Sequence, residues 1–94
     1  MIRVLVDTHT LLWYLQEDAN LSITAMNVVE NKNNTVFVSI ASLWEIAIKL
    51  GLGKLEIQRP FENLEADLKL LEINILPITF SDIQLYRDLP LHHP

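Results

Sequence analysis

The sequence predicts an α/β protein, a short parallel sheet flanked by helices, folded as a single domain over residues 1–94. Three observations carry this expectation. The chain opens on a nearly unbroken apolar run at residues 2–6, the pattern of a strand buried on both faces inside a parallel sheet. Two further strand-like runs, residues 35–38 and 73–78, are separated from it and from each other by helical periodicity, and such alternation builds β-α-β units. Ninety-four residues, half of them hydrophobic, suffice for one small core and no second.

Each element has a local reason. The first run stops at Asp7-Thr8-His9-Thr10, and Leu11, Leu12 and Leu15 then recur at helical spacing. Asn20-Leu21-Ser22 restarts the chain, and Ile23, Met26 and Val29 carry a second helix towards Glu30. The polar cluster Asn31-Lys32-Asn33-Asn34 marks a turn, and the β-branched and aromatic Thr-Val-Phe-Val at 35–38 marks the second strand. A third helix is expected over residues 39–50, ended by Gly51 and Gly53. Pro60 suits the first position of a fourth helix, with Phe61, Leu64, Leu68 and Leu71 as its buried stripe. Ser81-Asp82-Ile83-Gln84 has the form of a capping box for a last short helix reaching Asp88.

Composition removes several classes. There is no cysteine, so disulfide frameworks, thiolate zinc sites and cysteine nucleophiles are excluded. Mean hydropathy of +0.23 excludes intrinsic disorder. No apolar run reaches the ~18 residues of a membrane span, and the N-terminus lacks the pattern of a signal peptide. A cytoplasmic protein is the expectation. Seven Lys and Arg stand against twelve Asp and Glu, a net charge of −5, the wrong sign for a module that grips nucleic acid by a basic surface. An enzyme whose acids hold divalent cations remains open, because the metal then supplies the positive field.

Parallel sheets bind ligands at the carboxyl ends of their strands, which directs attention to Asp7 and to the segment after Val38. Asp7 reads equally as a helix N-cap; Thr8 or Thr10 would cap as well and leave it free. On the third helix, Ser42, Glu45 and Lys49 are polar breaks in a surface otherwise apolar on most of its circumference. Their spacing of three and four sets them on one narrow stripe. A helix apolar on nearly every side is expected to be buried, its acid facing a solvent edge or a polar cleft. Glu45 also reads as an ordinary ion-pair partner of Lys49, or as the end of a capping box begun by Ser42.

Together the two acids say more. If their strands are neighbours, Asp7 and Glu45 converge on one side of the sheet. Two carboxylates about 4 Å apart repel by roughly 4 kcal/mol at an effective dielectric of 20, so such a pair calls for a cation. Hard oxygen donors suit Mg²⁺ or Mn²⁺. His9 falls on the first turn of the first helix, Lys54 flanks the glycine turn, and the loop pair His92 and His93 reads as solvent-exposed.

Leu5-Val6-Asp7-Thr8-His9-Thr10-Leu11-Leu12-Trp13 resembles the opening of a PIN domain. Residues 39–55, with Ser-Leu-Trp-Glu-Ile-Ala-Ile-Lys and a Gly-Lys-Leu ending, resemble the second motif of the VapC-type toxins, and Leu89-Pro90-Leu91-His92-His93-Pro94 is similar to the stretch leading into their third acidic motif. The resemblance implies a three-layer PIN-like fold and a metal-dependent ribonuclease, the toxin of a toxin–antitoxin module. It implies Asp7 and Glu45 as metal ligands and catalytic acids, with Thr8, Thr10, Ser42 and Lys49 around the RNA. It implies Mg²⁺ or Mn²⁺ as cofactor and a cognate antitoxin as partner. Family members usually continue with an Asp-Pro-Phe-Asp-Arg-like segment, so a C-terminally truncated chain is expected, its last strands missing and its metal site weakened. Residues 2–6 would then form a sheet edge, and homo-oligomers through that edge are expected. The alternative is a non-catalytic, antitoxin-binding remnant or decoy.

Overall fold

A computed structural model describes residues 2–87 of the chain. Its order is β1 (Arg3–Val6), α1 (Thr8–Leu15), α2 (Ile23–Glu30), β2 (Thr35–Ser39), α3 (Ile40–Gly51), α4 (Leu64–Leu70), β3 (Ile73–Leu76) and α5 (Phe80–Arg87), with a 3₁₀ turn at Phe61–Asn63 before α4. The three strands form one parallel sheet in the order β1-β2-β3, flanked by helices. Val4, Val36 and Ile73 share one register, and Val6, Val38 and Ile75 the next but one.

Both crossovers step the same way across the sheet. Right-handed connections that do so place their helices on the same face, and exposure along the strands follows. Val6, Val36, Val38 and Ile73 are buried in the core with Leu11, Leu43, Ile46, Leu64 and Leu68. On the other face Leu5 is 59% and Leu76 43% exposed. The first strand is therefore not buried on both faces, as its apolar composition implied, but alternates. It also lies at one edge of the sheet, as expected for residues 2–6.

Capping explains the helix ends. Serines open α2 and α3: Ser22 Oγ accepts from Ala25 N at 3.0 Å and Ser39 Oγ from Ala41 N at 3.1 Å. With α3 starting at Ile40, Ser42 and Glu45 form no capping box. The box at α5 belongs instead to Thr79 and Asp82, each donating its backbone N–H to the other's side chain, at 2.9 and 3.2 Å. The fourth helix starts later than Pro60, because the 3₁₀ turn intervenes. Its tighter period takes Phe61 out of the stripe, so Leu64 and Leu68 are buried while Phe61 and Leu71 are exposed.

Three helices end on a left-handed residue: Glu17 after α1, Gly53 after α3 and Glu72 after α4. After α1, Asp18 N donates to Trp13 O at 2.9 Å, and after α3, Lys54 N donates to Lys49 O at 2.9 Å. These six-to-one bonds satisfy carbonyls that the helix leaves open. Among the described residues no helix is long and apolar enough to cross a membrane.

Candidate active site

Val6, the last residue of β1, pairs with Val38, so Asp7 and Ser39, the N-caps of α1 and α3, each stand one residue past that pair. The α-helix after each strand starts there, and this rim is where a parallel sheet offers its ligand site.

Asp7 is the N-cap of α1. Its Oδ1 accepts from Thr10 N at 2.7 Å, so neither threonine replaces it in that role. The carboxylate is exposed. The hydrogen bonds from Thr10 hold its pKa below the ordinary aspartate value, with help from the charge of His9 and against a small effect of burial.

Thr8 is 8% exposed, the buried polar side chain among the described residues. Its hydroxyl donates to Glu45 Oε1 at 2.7 Å, joining α1 to α3 across 37 residues of chain. The other oxygen, Oε2, lies 3.5 Å from Lys49 Nζ, an i,i+4 pair on the outer stripe of α3. The Thr8 bond is the main cause of a lowered Glu45 pKa; Lys49 and His9 add to it, and partial burial opposes it.

Thus Thr8 meets Glu45, Lys49 pairs with Glu45, and Thr10 bonds Asp7, which adjoins Thr8 in the chain. Ser42 is half-buried one turn before Glu45 on α3. The helix itself is less buried than its composition implied. Leu43 and Ile46 face the core, whereas Trp44 is 70% and Ile48 52% exposed. Ser39, placed by strand register, joins the rim although the sequence pattern alone did not single it out, and His9 lies on the first turn of α1 as expected, within electrostatic reach of both carboxylates. His92 and His93 lie outside the described residues.

The donors present are of the kind a hard dication takes, carboxylate oxygens. Among the described residues no group of three or more His, Cys, Asp or Glu lies together as a metal cluster. Two carboxylates are nonetheless compatible with Mg²⁺, which commonly takes one or two and completes its shell with water and substrate phosphate. The exposed carboxylates of Asp7 and Glu45 are donors of the kind such a group takes.

The architecture is thus that of a small parallel α/β protein with one acid, Asp7, just past the end of β1 and a second, Glu45, on the helix that follows β2. The sequence matches the PIN domain family over residues 4–94, and the chain belongs to that family. PIN domains are generally divalent-metal-dependent nucleases acting on nucleic acid. No curated protein and no solved structure gives a significant match.

Proposed function

We propose that this chain acts as a ribonuclease of the VapC type, the toxin of a toxin–antitoxin module, working in the cytoplasm. The observation that carries the reading is the bond between Thr8 and Glu45, which brings the second acid to the end of the sheet where Asp7 stands. Asp7 and Glu45 would hold Mg²⁺ or Mn²⁺. When bound, that ion supplies a hydroxide nucleophile and stabilises charge on the phosphate.

The chain's own residues prepare the rim. Thr8 orients the Glu45 carboxylate by its hydroxyl, and Thr10 fixes Asp7 by its backbone N–H. Both acids are ionised at neutral pH, as ligation requires, and their lowered pKa values extend that form to more acid pH. Lys49 balances Glu45, and Thr10 and Ser42 offer hydroxyls to the RNA backbone.

The test is cleavage of a labelled RNA in Mg²⁺, Mn²⁺ or EDTA. Metal-dependent cleavage that Asp7→Asn and Glu45→Gln each abolish supports the reading. Cleavage surviving both variants would remove these residues from the site.

A second reading, a non-catalytic antitoxin-binding protein, draws on one feature. A groove of about 240 Å³ lined mainly by Leu12, Leu15, Ile46, Ile57 and Leu64 runs beside α1, α3 and α4, with the Arg59–Asp67 ion pair at its edge. Apolar grooves of this kind accept an amphipathic helix. Antitoxin binding without RNA cleavage would favour it.

We further propose self-association through β1. The strand is a sheet edge, and Leu5 lies exposed beside it, the condition under which edges pair with other chains. Sedimentation should show concentration-dependent dimers that Leu5→Lys abolishes; a wild-type monomer throughout the micromolar range contradicts the proposal.

A further inference from the structure

His9 and Trp13 sit four residues apart on α1, on one face of the helix. Their ring centroids are 6.1 Å apart and the rings are tilted by 49°. This lies within the 4.5–7 Å range in which aromatic pairs attract. Thr8, the residue before His9, turns inward to Glu45. A step of about 100° around the helix then turns His9 outward, where its ring is exposed. Trp13 is half-buried, yet it is not among the residues that make or line the hydrophobic core. An exposed imidazole, packed against a half-buried indole and within one turn of Asp7, the N-cap of the same helix, is aromatic surface beside the acids.

The charge balance says what that surface would serve. At net −5 the protein gains little from general attraction to a polyanion, so a nucleic acid needs a non-ionic hold. Stacking of a base on an aromatic ring is such a hold, indifferent to sequence and open to His as well as Trp. It requires a base whose face is free, hence an unpaired strand.

We propose that His9, braced by Trp13, is a stacking platform for one base of a single-stranded RNA, and that it sets the adjoining phosphate at the rim between Asp7 and Glu45. The proposal rests on the ribonuclease reading for its substrate. His9 is a binding and positioning residue in this scheme; it transfers no proton.

The experiment is anisotropy of a labelled, uncleavable 2′-O-methyl oligouridine with the full chain and with His9→Ala, His9→Phe and His9→Lys. Duplex of the same length and a strand bearing an abasic site serve as competitors. The single strand should bind more tightly than either competitor. His9→Ala and His9→Lys should each lose roughly 10-fold in affinity, and His9→Phe should stay within about twofold. His9 is exposed, so these variants keep the fold, which circular dichroism checks. Unchanged binding by His9→Ala overturns the platform, as does a pattern in which Lys retains binding and Phe loses it, or a wild type that binds no single strand. Cleavage of unmodified RNA by the wild type is read separately. Its absence alongside the stacking pattern counts against the nuclease reading alone, and its presence with a neutral His9→Ala counts against the platform alone.

Discussion

The Thr8 hydroxyl and the Glu45 carboxylate, 2.7 Å apart, tie the helix that follows β1 to the helix that follows β2. A threonine buried to 8% exposure has few ways to satisfy its hydroxyl, and an ionised carboxylate is the strongest acceptor within reach. The bond therefore has structural and chemical roles at once: it satisfies a buried donor and aims an acid.

Replacing Thr8 separates these roles. Thr8→Val keeps the shape and removes the donor; it should cost about 1 kcal/mol of stability and move the Glu45 titration back towards the ordinary glutamate value. Thr8→Ser should leave that titration nearly where it is. Chemical denaturation, with the Glu45 carboxyl followed by NMR, checks both.

Asp7 caps α1 through Oδ1 while its side chain stays exposed. Asparagine caps a helix about as well as aspartate. Asp7→Asn should thus change stability by less than about 0.5 kcal/mol while abolishing metal-dependent RNA cleavage. Asp7→Ala should lose the cleavage and in addition about 1 kcal/mol of stability. Equal stability of the two variants would mean that the cap contributes nothing.

Much of this arrangement was legible in the sequence, for identifiable reasons. The strand Thr35–Ser39 and the helix Ile23–Glu30 follow from β-branched content and apolar spacing. The Asp7, Glu45 and Lys49 placements follow from strand ends and helical stripes. What stayed hidden depended on tertiary context. An apolar run such as residues 2–6 does not reveal that its sheet steps in one direction and leaves Leu5 uncovered. The exposed Trp44 and Ile48 of α3 are hidden for the same reason. Serine and threonine cap by local geometry, so the choice of Thr79 over Ser81 turned on a two-residue difference in helix start.

Acid should loosen the rim. Both acids have folded pKa values lowered from the ordinary ones, Asp7 mainly by Thr10 and Glu45 mainly by Thr8. Their ionised forms therefore favour the folded chain. That stability is present above the unfolded values, near pH 4, and is lost as the pH falls through the folded ones. Both groups are well exposed, so solvent screening keeps each contribution under about 1 kcal/mol. Thermal midpoints measured from pH 7 to pH 2.5 should fall at the acid end, and less steeply in Glu45→Gln.

The helix ends make a stability prediction independent of function. Glu72 holds φ of 60° and Gly53 φ of 69°, in the region that costs an L-residue about 1 kcal/mol. Glu72→Gly should stabilise by roughly 0.5–1 kcal/mol, and Gly53→Ala should destabilise by about 1 kcal/mol. No heavy atom lies within 4 Å of a methyl added at Gly53, so the loss would report backbone conformation alone. Urea unfolding of the two variants measures it.

The ion pair between Lys49 and Glu45 bears on how ionic strength affects encounter with a nucleic acid. The ammonium nearest the second acid is already neutralised within its own helix, so it contributes little long-range pull. The surplus negative charge of the chain instead repels an approaching strand. Basic nucleic-acid binders lose affinity as salt is added; here moderate salt, by shortening the reach of that repulsion, should speed the first collision.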